Sequence, residues 1–232
     1  MAAAAGGGGD VAATTTHPPA GDSITEGVLT LGGTQHYDTD RNDATVCWSF
    51  RLGALLGAEV GVVGFGATGL SRGGSGGVPA LGTSWNQLWS GVPRAFSPPP
   101  DLIVLNEGTN DGANNITAPF TAVLDDLLAA CPATPIAVLL PFDGAQGTNL
   151  RAAIAACADP ARVHFVDTTG FYDTAYGGGL HPTGPNDVAR VAPRVAAHLR
   201  PLIAPPPAPP TAPPRAKKLR NRDGVPTRKA AE

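Results

Sequence analysis

Four short turns in this chain carry groups that could do hydrolytic chemistry. The stretch "PPAGDSITEG", residues 18–27, presents a hydroxyl at Ser23. "GFGATG", Gly64 to Gly69, is a glycine turn. "GTND", Gly108 to Asp111, adds an amide at Asn110, and "LHPTG", Leu180 to Gly184, adds an imidazole at His181. Each has a plainer structural use. Ser23-Ile24-Thr25-Glu26 fits a capping box, in which Ser and Glu close a helix start without chemistry. The other three fit a tight turn, an Asn/Asp turn and a proline-led helix start. Two rival patterns fail on context. Gly64 to Gly69 also fits G-x-G-x-x-G, but dinucleotide binding needs a helix opening at once and an acid about 20 residues on. "LSRGGSGGVPALG" follows instead, and no Asp or Glu occurs between Glu59 and Asp101. "GGSGG", Gly73 to Gly77, fits G-x-S-x-G, but a nucleophile elbow needs a strand before it and a helix after it. Here Val78-Pro79 follows a glycine run, which reads as a loop.

The elements that must position these turns show in the apolar runs. "ATVCWSFRLGALLG" (44–57) has helical spacing, with Val46, Phe50 and Leu52 through Leu56 as the buried face. "AEVGVV" (58–63) is a short β-rich run, "DLIVLN" (101–106) and "PIAVLL" (135–140) read as buried strands, and "RVHFVD" (162–167) reads as a strand. "PFTAVLDDLLAAC" (119–131), "NLRAAIAACA" (149–158) and "NDVARVAPRVAAHL" (186–199) read as helices, the last kinked at Pro193. Apolar strands alternating with helices predict an α/β fold with a parallel sheet covered on both faces. The Ser, Gly, Asn and His turns then fall at carboxyl ends of strands, where open parallel sheets bind ligands. The first strand is the weak point. "VAATTTHPPA" precedes the serine turn, and Pro18 and Pro19 cannot serve mid-sheet. Either the chain is normally longer, or Val11 to Thr16 form a poor substitute.

Three domains of composition follow. Residues 1–20 are low-complexity Ala, Gly, Thr and Pro, residues 21–204 form the folding body, and 205–232 are a Pro-rich, basic tail expected to be disordered. Of 16 basic and 19 acidic residues, seven and two lie in 201–232, which leaves the body acidic. No nucleic-acid partner is expected for the body, and the tail's partner is open. Cys47, Cys131 and Cys157 are odd in number and scattered, which argues against a disulfide framework or a zinc site. No apolar run reaches the roughly 20 residues of a membrane span, and the N-terminus lacks the basic region of a signal peptide. The compartment is therefore open. "HYDTD" (36–40) could hold a cation but fits a solvated loop better.

Taken together, "GDSITEG", "GFGATG", "GTNDG" and "LHPTG" resemble the blocks of the SGNH (GDSL-type) hydrolase superfamily over about residues 21–200. The segment "GGSGGVPALGTSWNQLWSGVPRAFSPPP" (73–100) looks more loosely like that of carbohydrate-deacetylating members. The resemblance implies a three-layer, flavodoxin-like sandwich. It implies Ser23 as nucleophile, His181 as base, and an oxyanion hole of the Ser23 and Gly66 backbone N–H groups and the Asn110 amide. An ester hydrolase needs such a nucleophile, base and donor set, and nothing in it requires a metal or cofactor. The family places an Asp three residues before the His; here that position is Gly178, and Asp173 lies eight residues upstream, the wrong spacing. A Ser–His dyad is expected, with a backbone carbonyl holding the tautomer and Asp173 as the possible orienting acid. Trp85 and Trp89, four apart, could stack on a sugar but fit a helical core pair better. The expected function is metal-independent hydrolysis of short acyl esters, such as O-acetyl groups on carbohydrate. The alternative is a carbohydrate- or ligand-binding relative that has lost turnover.

Overall fold

The computed structural model describes residues 14–16, 20–35, 39–173 and 179–203. Most of the N-terminal low-complexity segment, the Pro-rich basic tail, residues 36–38 of the "HYDTD" stretch and Gly178 lie outside the described residues. Among the described residues the strands are β1 Thr14–Thr16, β2 Ala20–Gly21, β3 Ala58–Val60, β4 Val63–Gly64, β5 Gln87–Trp89, β6 Val92–Pro93, β7 Ile103–Asn106, β8 Ile136–Leu139 and β9 Val163–Val166. The helices are α1 Ser23–Glu26, α2 Trp48–Leu56, α3 Leu81–Ser84, α4 Thr117–Ala130, α5 Gly147–Ala156, α6 Gly184–Asn186 and α7 Ala192–Leu199. The central sheet is parallel, in the order β4-β2-β7-β8-β9. This is the flavodoxin-like order, with the chain reversing direction across the sheet beside β2.

Side-chain alternation along the strands divides two cores. Ile103, Leu105, Ile136, Val138 and Val163 face α4 and α5, where Phe120, Leu124 and Leu150 are fully buried. Leu102, Val104, Ala137, Leu139 and Val166 face Ile24, Trp48, Leu52, Val195 and Leu199 of α1, α2 and α7. Both faces are thus covered, which is why these strands are mostly apolar.

The weak first strand is a real feature, and it is broken rather than absent. Thr14–Thr16 pair in parallel with Ala58–Val60, and Ala20–Gly21 pair with both β4 and β7. Three threonines suit an extended chain, and the central slot itself holds only two residues. Gly21 is obligatory there: a Cβ would stand 2.0 Å from Thr25 Oγ1 and 2.8 Å from the Asn106 carbonyl.

Three expectations are corrected. The helix read over 44–57 starts at Trp48, after a 3₁₀ turn at Ala44–Val46. Trp48 and Leu52, four apart, set its buried face, so Phe50 is 49% exposed. The last helix departs from regularity before Pro193, in a π turn over Asp187–Val191, which suits a residue that has no N–H to give. Trp85 and Trp89 are not a helical pair. α3 ends at Ser84, Trp85 stacks on Phe96 with ring centroids 5.9 Å apart, and Trp89 lies in the β5–β6 hairpin, 65% exposed. No helix among the described residues is long and apolar enough to cross a membrane.

Candidate active site

The serine turn begins where β2 ends. Asp22, not Ser23, is the N-cap of α1: its Oδ1 accepts the Ile24 N–H at 2.8 Å. The capping-box reading is therefore displaced by one residue. Ser23 becomes the first residue inside the helix, and its hydroxyl is left for another partner. That partner is His181, whose Nε2 lies 2.9 Å from Ser23 Oγ. Chain segments 158 residues apart meet in this contact.

A buried polar network fixes the floor. Asp22 Oδ2 accepts the Asn110 amide at 2.9 Å, and the same Nδ2 donates to the Thr68 carbonyl at 3.0 Å. Burial pushes the Asp22 carboxyl up to about 7, against the lowering effect of the Ile24 N–H. The Asp111 carboxylate takes the N–H groups of Leu70 and Ser71 at 2.9 and 2.8 Å and the Ser71 hydroxyl at 2.7 Å. It thereby ties the turn after β7 to the turn after β4. Between them sits Glu107, 1% exposed, with neither carboxyl oxygen hydrogen-bonded. Burial, and then the charges of Asp22 and Asp111, push it well above the usual carboxylate range.

The glycine turn after β4 brings Gly66 to the cleft. Glu26, at the end of α1, takes the Gly66 N–H, which partly offsets the rise that burial gives its carboxyl. The Gly66 carbonyl accepts the Ser75 N–H at 2.7 Å. Ser75, in a segment read from sequence as a plain loop, is carried by this bond to the cleft wall. The cleft has a volume of about 460 Å³ and is lined by Ser23, Gly66, Asn110 and His181 together with Ser75 and the apolar Val28, Leu29 and Leu180. Trp85 and Trp89 are not among its lining residues.

The histidine turn precedes α6. It is braced on one side by the Gly184 N–H, which donates to the Thr30 carbonyl at 2.7 Å. On the other side the Tyr172 hydroxyl faces the carbonyls of Gly179 and His181, the latter at 3.2 Å. Asp173 forms an ion pair with Arg190 at 3.3 Å. Asp187, six residues past the histidine, is 1% exposed and neither of its carboxylate oxygens has a full hydrogen bond. Burial pushes it up to about 8, against the pull of the Trp48 N–H at the start of α2. Sequence reasoning missed Asp22, Glu26, Ser75, Tyr172 and Asp187. The one available signal was that Asp22 is as good a capping residue as Ser23.

The sequence model of the GDSL-like Lipase/Acylhydrolase family matches residues 20–185. A search of curated proteins finds no match. Among solved structures, the fold is similar to that of a family two carbohydrate esterase from Clostridium thermocellum, with TM-score 0.70, 20% identity, and coverage of 80% of this chain and 63% of that one. An acetyl xylan esterase from the rumen bacterium Butyrivibrio proteoclasticus gives 0.66, 19%, 81% and 64%. A carbohydrate acetylesterase from Sinorhizobium meliloti gives 0.58, 19%, 82% and 100%. The chain spans less than two thirds of the first two structures. At these identities the likeness is one of fold.

Proposed function

We propose that this chain, which belongs to the GDSL-like lipase/acylhydrolase family, is a serine esterase that removes short acyl groups of the acetyl type from carbohydrate esters. The observation that carries the reading is the 2.9 Å contact between Ser23 Oγ and His181 Nε2. With the ring proton on Nδ1, Nε2 accepts the serine proton as Oγ attacks the ester carbonyl. The C=O π electron pair moves onto oxygen, and this oxyanion is stabilised by the Ser23 N–H at the helix start, joined by the Gly66 N–H and the Asn110 amide once they turn to it from Glu26, Asp22 and Thr68. His181 then returns the proton to the departing alcohol, and water, activated the same way, releases the acid. Asp173 is held by Arg190, so the reading assigns a dyad. The choice of carbohydrate leans on the fold shared with carbohydrate esterases. The purified full chain should hydrolyse 4-nitrophenyl acetate and an acetylated xylan, and Ser23→Ala should not. Retention of hydrolysis in Ser23→Ala would overturn the assignment.

One observation favours a binding-only reading instead. The Asn110 amide is already spent on Asp22 and Thr68, and Glu26 occupies the Gly66 N–H. Tight binding of an acetylated sugar by the wild type, measured by calorimetry with no acetate released, would select that second reading.

A further inference from the structure

We infer that Tyr172 is the positioning residue of the histidine, doing through the backbone what an orienting carboxylate would do through the ring. The inference rests on the Ser23–His181 reading above. The geometry forms a continuous chain from the sheet to the base. After β9, the Thr168 hydroxyl donates to the Leu140 carbonyl at 2.6 Å, and the Phe171 N–H donates to the Thr168 carbonyl at 2.9 Å. This turn seats Phe171 and Tyr172 against the core beneath α7. The Tyr172 hydroxyl then shares its proton between the Gly179 and His181 carbonyls. His181 therefore takes its position from the sheet edge, across a distance the local sequence does not bridge. The residue three before His181 is Gly178, which has no side chain to offer.

The phenol suits the task because it is a donor throughout the working pH range. Burial, and then the nearby Asp187 and Asp173 carboxylates, push it above the usual tyrosine range. Asp173 is in turn paired with Arg190. A carbonyl-bound phenol does not stabilise the imidazolium charge. It raises only the fraction of molecules in which Nε2 faces the serine. The effect belongs in kcat and in the rate of serine acylation, not in substrate affinity.

The test is Tyr172→Phe, which removes one oxygen atom. Expected are a fall of about tenfold in kcat, KM within about twofold, and an equal fall in the rate of phosphonylation by a fluorophosphonate probe at saturation. Site-specific 3-fluorotyrosine at 172 supplies an isosteric second variant with a more acidic phenol. Its kcat should decline at lower pH on the alkaline side than the wild type's, because a phenolate cannot donate to either carbonyl. An unchanged kcat and labelling rate in folded Tyr172→Phe, or alkaline limbs that coincide for fluorotyrosine and wild type, would overturn the inference alone. A wild type that neither hydrolyses acetyl esters nor labels would remove the dyad reading and this inference with it.

Discussion

Ser23 leaves the sheet at the end of a strand hydrogen-bonded on both sides, whereas His181 sits on a loop well past the last strand. The first side of the cleft is tied by charge-assisted bonds among three turns: Asp22 to Ile24 and Asn110, and Asp111 to Leu70 and Ser71. The second carries neutral bonds from Tyr172 to two carbonyls and from Gly184 to Thr30, beside the partly exposed Asp173–Arg190 ion pair; each side also holds one buried acid without a full partner, Glu107 on the first and Asp187 on the second. The nucleophile is built into the scaffold and the base is brought to it. Such a division leaves the serine rigid and makes the histidine the adjustable member.

The sharpest test is to remove the two titratable groups of the histidine side in turn. His181→Ala should lower kcat for acetyl-ester hydrolysis by about 10³-fold or more, the scale seen when a serine loses its base. Asp173→Ala should cost only a few-fold, since its ion pair with Arg190 is half exposed. Equal losses from the two, in folded protein, would make Asp173 the displaced third member and end the dyad reading. Next in size is Asp111→Ala. Three donors lose one carboxylate there, so unfolding by urea should report about 3 kcal/mol less stability. A loss under about 1 kcal/mol would mean that the nucleophile side is not held by this network.

How much of this could be read in advance divides along the same line. The apolar runs revealed β7, β8 and β9, because strands covered on both faces bury nearly every position. The four turns of the cleft were visible because each carries its own local chemistry in glycine, proline or a short polar side chain. Position within a turn was not. Ser23 and Asp22 are both good caps, and the choice between them depends on where β2 stops, which the close approach of Gly21 to Thr25 and Asn106 decides. Val11 to Thr16 read only as a poor substitute strand, because pairing with Ala58–Val60 is what makes Thr14–Thr16 one. Ser75 is brought to the cleft by its N–H bond to Gly66, and Tyr172 meets the histidine turn through the Gly179 and His181 carbonyls; such isolated contacts leave no periodic mark in a sequence.

A further prediction concerns Asp187. Its folded carboxyl keeps its proton to about pH 8, while the unfolded chain ionises near the ordinary carboxylate value of 3.8. This contribution to stability is complete below that lower value and is lost as pH rises through the folded one, at about 1.4 kcal/mol for each pH unit inside the window. Asp22, raised to about 7, adds to the same trend. Urea unfolding at pH 5 and pH 8 should show the wild type losing stability toward pH 8, and Asp187→Asn losing distinctly less. Parallel losses would show that Asp187 is ionised in the folded protein and that the histidine side is better satisfied than the contrast holds.

The central claim is that His181 activates Ser23 and not Ser75, although both line one cleft. The most direct measurement is fluorophosphonate labelling of the full chain, with the modified residue located by peptide mass spectrometry. The account predicts one adduct, on Ser23, abolished in His181→Ala and unaffected in Ser75→Ala. An adduct on Ser75, or labelling of Ser23 that survives the loss of His181, would contradict it.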